Sequence, residues 1–451
     1  MTGEAAPPFD GRALVLGLGV TGRAVARALG RRGGEVVLAD DRPGPGARDV
    51  AEELGVPLEV APTEDRLAAL LDGCAAFVPS PGVPERHPAF RLAAERSVPR
   101  WGELDLAAAW DSRPCVAVTG TDGKTTVTTL VTRILEASGT RAADAGNTEV
   151  PLVEAIDDPW PQVFVVEASS FRLAPLHRFA PRVGAWLNFA PDHLDVHADV
   201  AGYESAKARL FELLPQDGLA VANAEDPVVA RHAARAPHVQ TFAAAASADW
   251  HVAAGHLVAP DGSTYLPTAE LHRALPHDLA NALAATATAV GAGATLDGAA
   301  AALRGFRGLP HRVELVGDAG GVRWYDDSKA TAPHATLAAV CGFDSVVLIA
   351  GGRNKGLDLG ALAGAAPHVR AVVAIGEASA EVAGAFAGVR PVRDAASMDE
   401  AVAAARDLAE PGDVVLLSPA CASFDWYGSY AERGDDFARA AREVAGVVGP
   451  R

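Results

Sequence analysis

The sequence predicts an α/β chain of three domains built on parallel sheets, and three observations carry that prediction. A short apolar run, a Gly-rich turn and an Ala/Leu-rich amphipathic stretch follow one another repeatedly, as at residues 13–17, 115–119, 346–351 and 414–418. Strand–turn–helix units produce that order. The 451 residues suit about three domains of ordinary size. Two breaks divide them: residues 101–114 (WGELDLAAAWDSRP) pass from a helical stretch to a Pro-marked restart, and residues 304–312 (RGFRGLPHR) are punctuated by Gly and Pro. The implied domains are residues 1–111, 112–308 and 309–451. Residues 241–267 read as peripheral strands and loops of the middle domain.

Composition narrows the class. Hydrophobic residues are 49% and charged residues 21%, enough to bury large cores and to exclude disorder. Lys plus Arg is 39 against 57 for Asp plus Glu, a formal charge of −18, which argues against a duplex nucleic acid or an anionic membrane as partner. Cys74, Cys115, Cys341 and Cys421 form no CxxC pair, so reduced thiols are expected rather than zinc or disulfides. The opening residues lack the basic and apolar regions of a signal peptide, and no apolar run of roughly 18 residues appears. A soluble, cytoplasmic protein is expected, and a monomer. Only four of the 39 basic residues are lysine: Lys124, Lys207, Lys329 and Lys355. Where a point charge or a removable proton is needed, Arg is a poor substitute. Each of the four falls inside a motif.

The first motif is LVLGLGVTGRAVARAL, a strand, G-x-G-x-x-G at Gly17, Gly19 and Gly22, and a helix. Glycines let backbone approach a diphosphate, and a helix N-terminus favours its charge. With the next strand ending at Asp40, Asp41 and Arg42, this suits a dinucleotide or any uridine or adenine diphosphate. Tight packing alone would also explain the glycines. A further turn, PSPGVP at residues 79–84, could close over the same ligand.

The second motif, VAVTGTDGKTT, is a strand running into a phosphate loop. N–H groups of Gly120, Thr121, Asp122, Gly123 and Lys124 could cradle phosphates, with Lys124 reaching the β/γ oxygens and a Thr125 or Thr126 hydroxyl on Mg²⁺. The expected first glycine of the general loop is replaced by Val118. ATP is the indicated ligand. Glu167 ends an apolar strand (VFVVE), the place for a magnesium carboxylate or for a cap. His193 and His197 lie four apart, but the preceding Pro and the lack of a third ligand disfavour zinc. His193, beside Asp192, is better placed to touch a cation or phosphate, while His197 could cap a surface turn. Lys207 follows on an amphipathic helix, where a lysine ordinarily serves solubility.

The third domain places Arg312 at its start, then YDDSKATAP, AGGRNKGL and LLSPACASFDWYGSY after strands. Three strand-end loops, two of them bearing lysine, make a cationic pocket with hydroxyl donors that suits a small carboxylate. Cys421 has no base beside it in sequence and reads as a small buried residue, not a nucleophile.

The ordered set GTDGKTT, VVEASSF, APDHLDVH, AKARLF, HDLANALAA, GLPHR, DDSKAT, GGRNKG and LLSPACASFDWY resembles the Mur ligases of peptidoglycan synthesis over nearly the whole chain. Its third-domain motifs are most similar to those of members that add D-glutamate to UDP-N-acetylmuramoyl-L-alanine. The resemblance implies a Rossmann-like N-terminal domain, a central P-loop ATPase domain and a C-terminal Rossmann-like domain for the amino acid. It implies that Val20, Thr21, Asp41, Arg42, Ser80, Gly82 and Asn147 contact the UDP substrate. Residues 120–126 with Asn281, Arg312 and Asp327 would bind ATP. Of two Mg²⁺ sites, one would use Thr125 and Glu167 and the other His193 and Lys207, the lysine as a CO₂-derived carbamate. Lys124, Glu167, His193 and Lys207 would be catalytic. Lys329, Thr331, Lys355, Ser423, Phe424 and Tyr430 would hold D-glutamate. The implied reaction passes through an acyl phosphate. Asp278, Arg172 and Arg353 depart from residues frequent in the family.

Rivals are a ligase of the same type for another amino acid, a folylpolyglutamate synthase, a nicotinamide-dependent dehydrogenase and a nonhydrolysing scaffold. The first Gly loop disfavours the folate enzyme, and GTDGKTT disfavours the dehydrogenase. The set Lys124, Glu167, His193 and Lys207 disfavours the scaffold.

Overall fold

A computed structural model describes residues 6–147, 150–193, 196–245 and 247–449, and the predicted α/β class holds in three separate sheets. The first sheet has β1 (Arg12–Leu16), β2 (Val36–Asp40), β3 (Leu58–Val60) and β4 (Cys74–Pro79), all parallel, in the order β3-β2-β1-β4. The second contains β5 (Cys115–Thr119), β6 (Ala142–Gly146), β7 (Val163–Glu167), β8 (Val183–Trp186), β9 (Leu219–Asn223), β10 (His238–Ala243), β11 (Trp250–Ala253), β12 (His256–Val258) and β13 (Thr264–Pro267). Its order is β13-β12-β11-β10-β9-β8-β5-β7-β6, parallel except for the last two pairings, β11–β12 and β12–β13. Segment 241–267 thus forms the sheet's peripheral edge. The third sheet has β14 (Glu314–Ala319), β15 (Val322–Asp326), β16 (Val346–Gly351), β17 (Val369–Ile375), β18 (Val392–Ala395) and β19 (Val414–Leu417), ordered β14-β15-β19-β16-β17-β18. Only β14 is antiparallel.

Parallel strands covered on both faces carry continuous apolar runs rather than alternation. All six residues of β16 (VVLIAG) are buried, as are all five of β7 (VFVVE), so Glu167 is carried to the strand end inside an apolar run. The chain divides into two compact units, Met1–Leu271 with Ala280–Phe306, and His272–Leu279 with Arg307–Arg451. The first contains two sheets, the second one.

Within the first unit, residues 101–111 are not a solvent-exposed linker. The helix Glu103–Trp110 buries Leu104 and Leu106 in a core shared with Leu173, Leu176 and Phe179. Buried Asp105 accepts the backbone N–H groups of His177, Arg178 and Phe179. Three N–H donors meet the needs of a carboxylate that burial would otherwise penalise. The first two sheets are therefore joined by packing as well as by chain. Among the described residues, no helix is long and apolar enough to cross a membrane.

Candidate active site

The Gly-rich and hydroxyl-bearing loops of all three sheets follow the C-terminal ends of parallel strands, where open α/β sheets bind ligands. In the first sheet the turn after β1 enters the helix Val20–Arg31. Gly22 lets that helix approach β1: a Cβ there would lie 1.9 Å from the Gly17 carbonyl oxygen. Ser80 Oγ, after β4, donates to the same carbonyl at 2.7 Å. A cavity of about 860 Å³ opens beside these turns, and Val20, Thr21, Asp41, Arg42, Ser80, Gly82 and Asn147 all line it. The seven residues singled out for the UDP substrate are thus brought together.

Asp40 behaves differently from the ribose-reading acid of a dinucleotide site. Its carboxylate accepts the backbone N–H groups of Leu18 and Arg42, so it braces the Gly loop. Asp41 stands at the cavity and accepts from His87 Nε2 at 3.0 Å. Because His87 Nδ1 accepts the Ala89 N–H, its proton resides on Nε2.

Arg86, His87 and Arg172 also line the cavity, and sequence reading did not assign them to it. Arg172 donates to Glu103 Oε2 and, at 2.8 Å, to Thr21 Oγ1. Its signal was present in the sequence as a departure from the usual family residue.

The phosphate loop follows β5 and enters the helix Lys124–Ala137 through Gly123, at φ +79°. Thr121 and Asp122 do not offer their N–H groups to an open cradle, which corrects the sequence expectation for those two: both donate to Asn188 Oδ1, at 3.0 and 2.8 Å. The loop's donors left for a ligand are the N–H groups that open the helix, which by geometry lack intrahelical partners. Asn188 follows β8, the neighbour of β5, and was missed; a polar residue just past an apolar strand was its signal. Lys124 Nζ donates to the carbonyls of Gly120 and Thr121, at 3.0 and 2.8 Å. Asn281 reaches the same loop, since a Cβ on Gly123 would lie 2.7 Å from Asn281 Oδ1.

Glu167 pairs in register with Val118 on β5, beside the loop. Its Oε1 accepts Asn147 Nδ2 at 2.9 Å, while its Oε2 is buried without a hydrogen-bond partner. An orphaned carboxylate oxygen at that position fits a cation.

Lys207 is not the exposed helical lysine that its amphipathic segment suggests. The helix Val200–Glu212 starts on Asp199, whose carboxylate accepts the Gly202 N–H, and turns Tyr203, Ala206, Lys207 and Leu210 inward. Lys207 is 1% exposed and Nζ donates to the Gly120 carbonyl at 2.6 Å. Burial, reinforced by the charge of Lys124, pushes its ammonium well below the ordinary range, against the pull of Asp192, Asp122 and Glu167.

His193 has φ +56° and a ring 6.0 Å from that of Tyr203, which Lys207 Nζ also approaches at 4.7 Å. His197 is no surface cap: it is 2% exposed, stacked on Phe171 and bonded to Ser170 Oγ at 2.9 Å. Leu194 and Asp195, between the two histidines, lie outside the described residues.

In the second unit the three loops follow β15, β19 and β16, which are adjacent strands. Arg353 and Ala422 exchange backbone hydrogen bonds across two of the loops, and Ala420 N–H bonds the Ala330 carbonyl across the other pair. Lys329 Nζ sits 3.7 Å from the centroid of the Tyr430 ring, and Lys355 Nζ donates to Thr331 Oγ1 at 3.3 Å. Ser423 is buried and Phe424 is 61% exposed. Asp327 is buried, accepting from Ser418 Oγ and the Val313 N–H beside Arg312. Burial raises its carboxyl to about 7. Cys421 is a buried thiol, pushed by desolvation to about 12, which fits a packing residue.

Family profiles match the chain in three successive stretches: Mur ligase MurD-like, N-terminal domain, over residues 11–102; Mur ligase middle domain over 118–289; and Mur ligase, glutamate ligase domain over 311–421. A UDP-N-acetylmuramoylalanine–D-glutamate ligase of Desulfosudis oleivorans is 41% identical over 446 residues, spanning 96% of either chain. One of the same name from Frankia casuarinae is 42% identical over 449 residues, 96% of this chain and 94% of its own. Among solved structures, a pseudomurein peptide ligase type C from Methanothermus fervidus shares the fold, with TM-score 0.59 and 18% identity over 90% of this chain and 96% of that one.

Proposed function

The chain belongs to the Mur ligase family, and from that premise we propose that it adds D-glutamate to UDP-N-acetylmuramoyl-L-alanine, at the expense of ATP, in peptidoglycan precursor synthesis. The observation that carries the reading is near-full-length identity of about two residues in five to relatives bearing that ligase name. We place the reaction in the cytoplasm, carried out by a monomer, with residues 1–111, 112–308 and 309–451 as the UDP, ATP and amino-acid domains.

The cavity beside β1 and β4 receives the UDP moiety, its diphosphate toward the N-terminus of the helix Val20–Arg31, with Val20, Thr21, Asp41, Arg42, Ser80, Gly82 and Asn147 as contacts. Lys124 offsets charge on the transferring γ-phosphate as the alanyl carboxylate attacks it, giving an acyl phosphate and ADP. The amine of D-glutamate, held by Lys329, Thr331, Lys355, Ser423, Phe424 and Tyr430, then attacks the acyl carbon. The tetrahedral adduct collapses with loss of phosphate. Asn281, Arg312 and Asp327 hold the adenine nucleotide.

The orphaned Glu167 Oε2 and the hydroxyl-rich helix start fit magnesium, so Glu167 and Thr125 would hold one ion, and His193 and Lys207 a second. Bound there, the ions supply charge neutralisation for phosphate oxygens. Lys207 suits a carbamate because burial favours its neutral amine, the form that adds CO₂ and becomes a carboxylate.

The test is phosphate release and product analysis with ATP, Mg²⁺ and UDP-N-acetylmuramoyl-L-alanine against a panel of amino acids, including both glutamate enantiomers. Turnover with D-glutamate alone is expected. Turnover with another amino acid would keep the ligase chemistry and overturn the reading of the third domain. No release with any of them would overturn the substrate assignment.

A further inference from the structure

We propose that His197 is a positioning residue that ties the substrate loop 80–85 to the Glu167 end of the ATP site. Its ring reaches two elements at once. Nε2 bonds Ser170 Oγ at 2.9 Å, three residues beyond Glu167, while Nδ1 lies 3.4 Å from Glu85 Oε1, an ion-pair distance rather than a hydrogen bond. Glu85 ends the turn that carries Ser80 and Gly82 into the 860 Å³ cavity. The ring is fixed between aromatic neighbours, with Phe171 at 5.2 Å and 18° interplanar angle and Tyr203 at 5.4 Å. Its own backbone N–H bonds the His193 carbonyl at 3.0 Å.

The surrounding contacts make this a connection rather than an isolated pair. Loop residues 79–85 pack on Phe171, Ala174, Pro175 and Val196, leaving between them only about 30 Å³, room for about one water. Arg100 Nη2 adds a bond across the same seam to the Ala174 carbonyl at 3.0 Å. A side chain 2% exposed, hydrogen-bonded to one flanking segment and within ion-pair range of the other, holds those segments in one relative register. The loop that closes over the diphosphate and the residues around the transferring phosphate therefore move together. The inference rests on assigning the first cavity to the UDP substrate, which is what gives the tether a catalytic consequence.

The experiment uses the full chain with Glu85→Ala and His197→Gln, singly and combined. Glu85 is 40% exposed at its side chain, so its removal leaves the fold intact even if His197→Gln does not fold. Hydrogen exchange read by mass spectrometry, without ligand, is expected to speed up across the seam: around 168–173 and 196–200 in Glu85→Ala, and around 80–87 in His197→Gln. In steady state, Glu85→Ala is expected to raise KM for the UDP substrate about fivefold, with KM for ATP unchanged within about twofold. The double variant should be no worse than the worse single. Exchange that changes only beside the substituted residue, or equal shifts in both KM values, overturns the tether. Failure of the wild-type chain to turn over the UDP substrate would overturn the substrate assignment instead, and the exchange arm would still decide the tether.

Discussion

Lys207 Nζ donates to the carbonyl of Gly120 at 2.6 Å, joining a helix to a phosphate loop 87 positions earlier in the chain. A lysine 1% exposed, its ammonium disfavoured by burial and by Lys124, is a poor ion pair and a good amine. The arginine that replaces lysine almost everywhere else in this sequence cannot add CO₂.

If the amine is carbamylated, turnover depends on dissolved CO₂. Rates in bicarbonate-free buffer should fall and recover on adding bicarbonate, with a carbamate resonance in ¹³C-labelled protein that Lys207→Arg lacks. Lys207→Arg should lose about 10²–10³-fold in kcat. Full activity of that variant would remove the carbamate from the mechanism.

Arg172 and Glu103, with side chains 5% and 4% exposed, form a buried pair whose guanidinium also holds Thr21. Removing one member of such a pair strands the other. Arg172→Ala should lower unfolding free energy by about 3–5 kcal/mol in urea titrations. Arg172→Gln combined with Glu103→Gln should recover most of it, because no charge is then left unpaired. A small loss in Arg172→Ala would mean that water reaches the site on truncation.

Gly22 is required by distance rather than by φ. A methyl group there meets the Gly17 carbonyl oxygen at 1.9 Å and Ser80 Oγ at 2.6 Å, both beside the 860 Å³ cavity. Gly22→Ala should cost about 1–3 kcal/mol or more and displace the turn, measured as a lower Tm and weaker binding of a uridine diphosphate sugar by calorimetry. Gly19→Ala, with nothing within 4 Å of the added Cβ, is the control and should leave Tm unchanged within about a degree.

These residues show how far the sequence could be read. Strands such as β7 and β16 were legible because uninterrupted apolar runs between Gly turns have one comfortable solution, a parallel strand buried on both faces. The cavity residues Val20, Thr21, Ser80 and Gly82 were legible because their motifs sit at strand ends. What escaped was set by tertiary direction. His197 occupies a segment whose periodicity says nothing about Glu85, 112 positions away, and Lys207, singled out by the scarcity of lysine, gave no sign in sequence of its burial against Gly120, 87 positions away. Asn188 escaped for the same reason: its role is visible only once β8 is placed beside β5. Residues 101–114 read as a boundary because a Pro-marked break follows the helix Glu103–Trp110; the partners that bury its acids, Glu103 and Asp105, lie elsewhere in the chain and left no trace in the local sequence.

In the second unit, the stability contributed by Asp327 is expected to fall as pH rises. Burial raises its carboxyl from the ordinary 3.8 to about 7, so the folded state holds a proton that the unfolded chain releases. Its contribution is fully present below about 4 and is lost as pH climbs through 7. His311 acts in the same direction: its hydrogen bond to Asp326 at 2.7 Å raises its ring above 6.5, so its contribution is present below that value and lost as pH passes the folded value. Other carboxylates titrate too, so the measurement is a difference. Urea unfolding of the wild type and of Asp327→Asn should be compared between pH 5 and pH 8. The wild type should lose stability relative to the variant across that interval, because the amide keeps a neutral group there at every pH. A pH-independent difference would mean that Asp327 is ionised throughout, its charge held by Arg312.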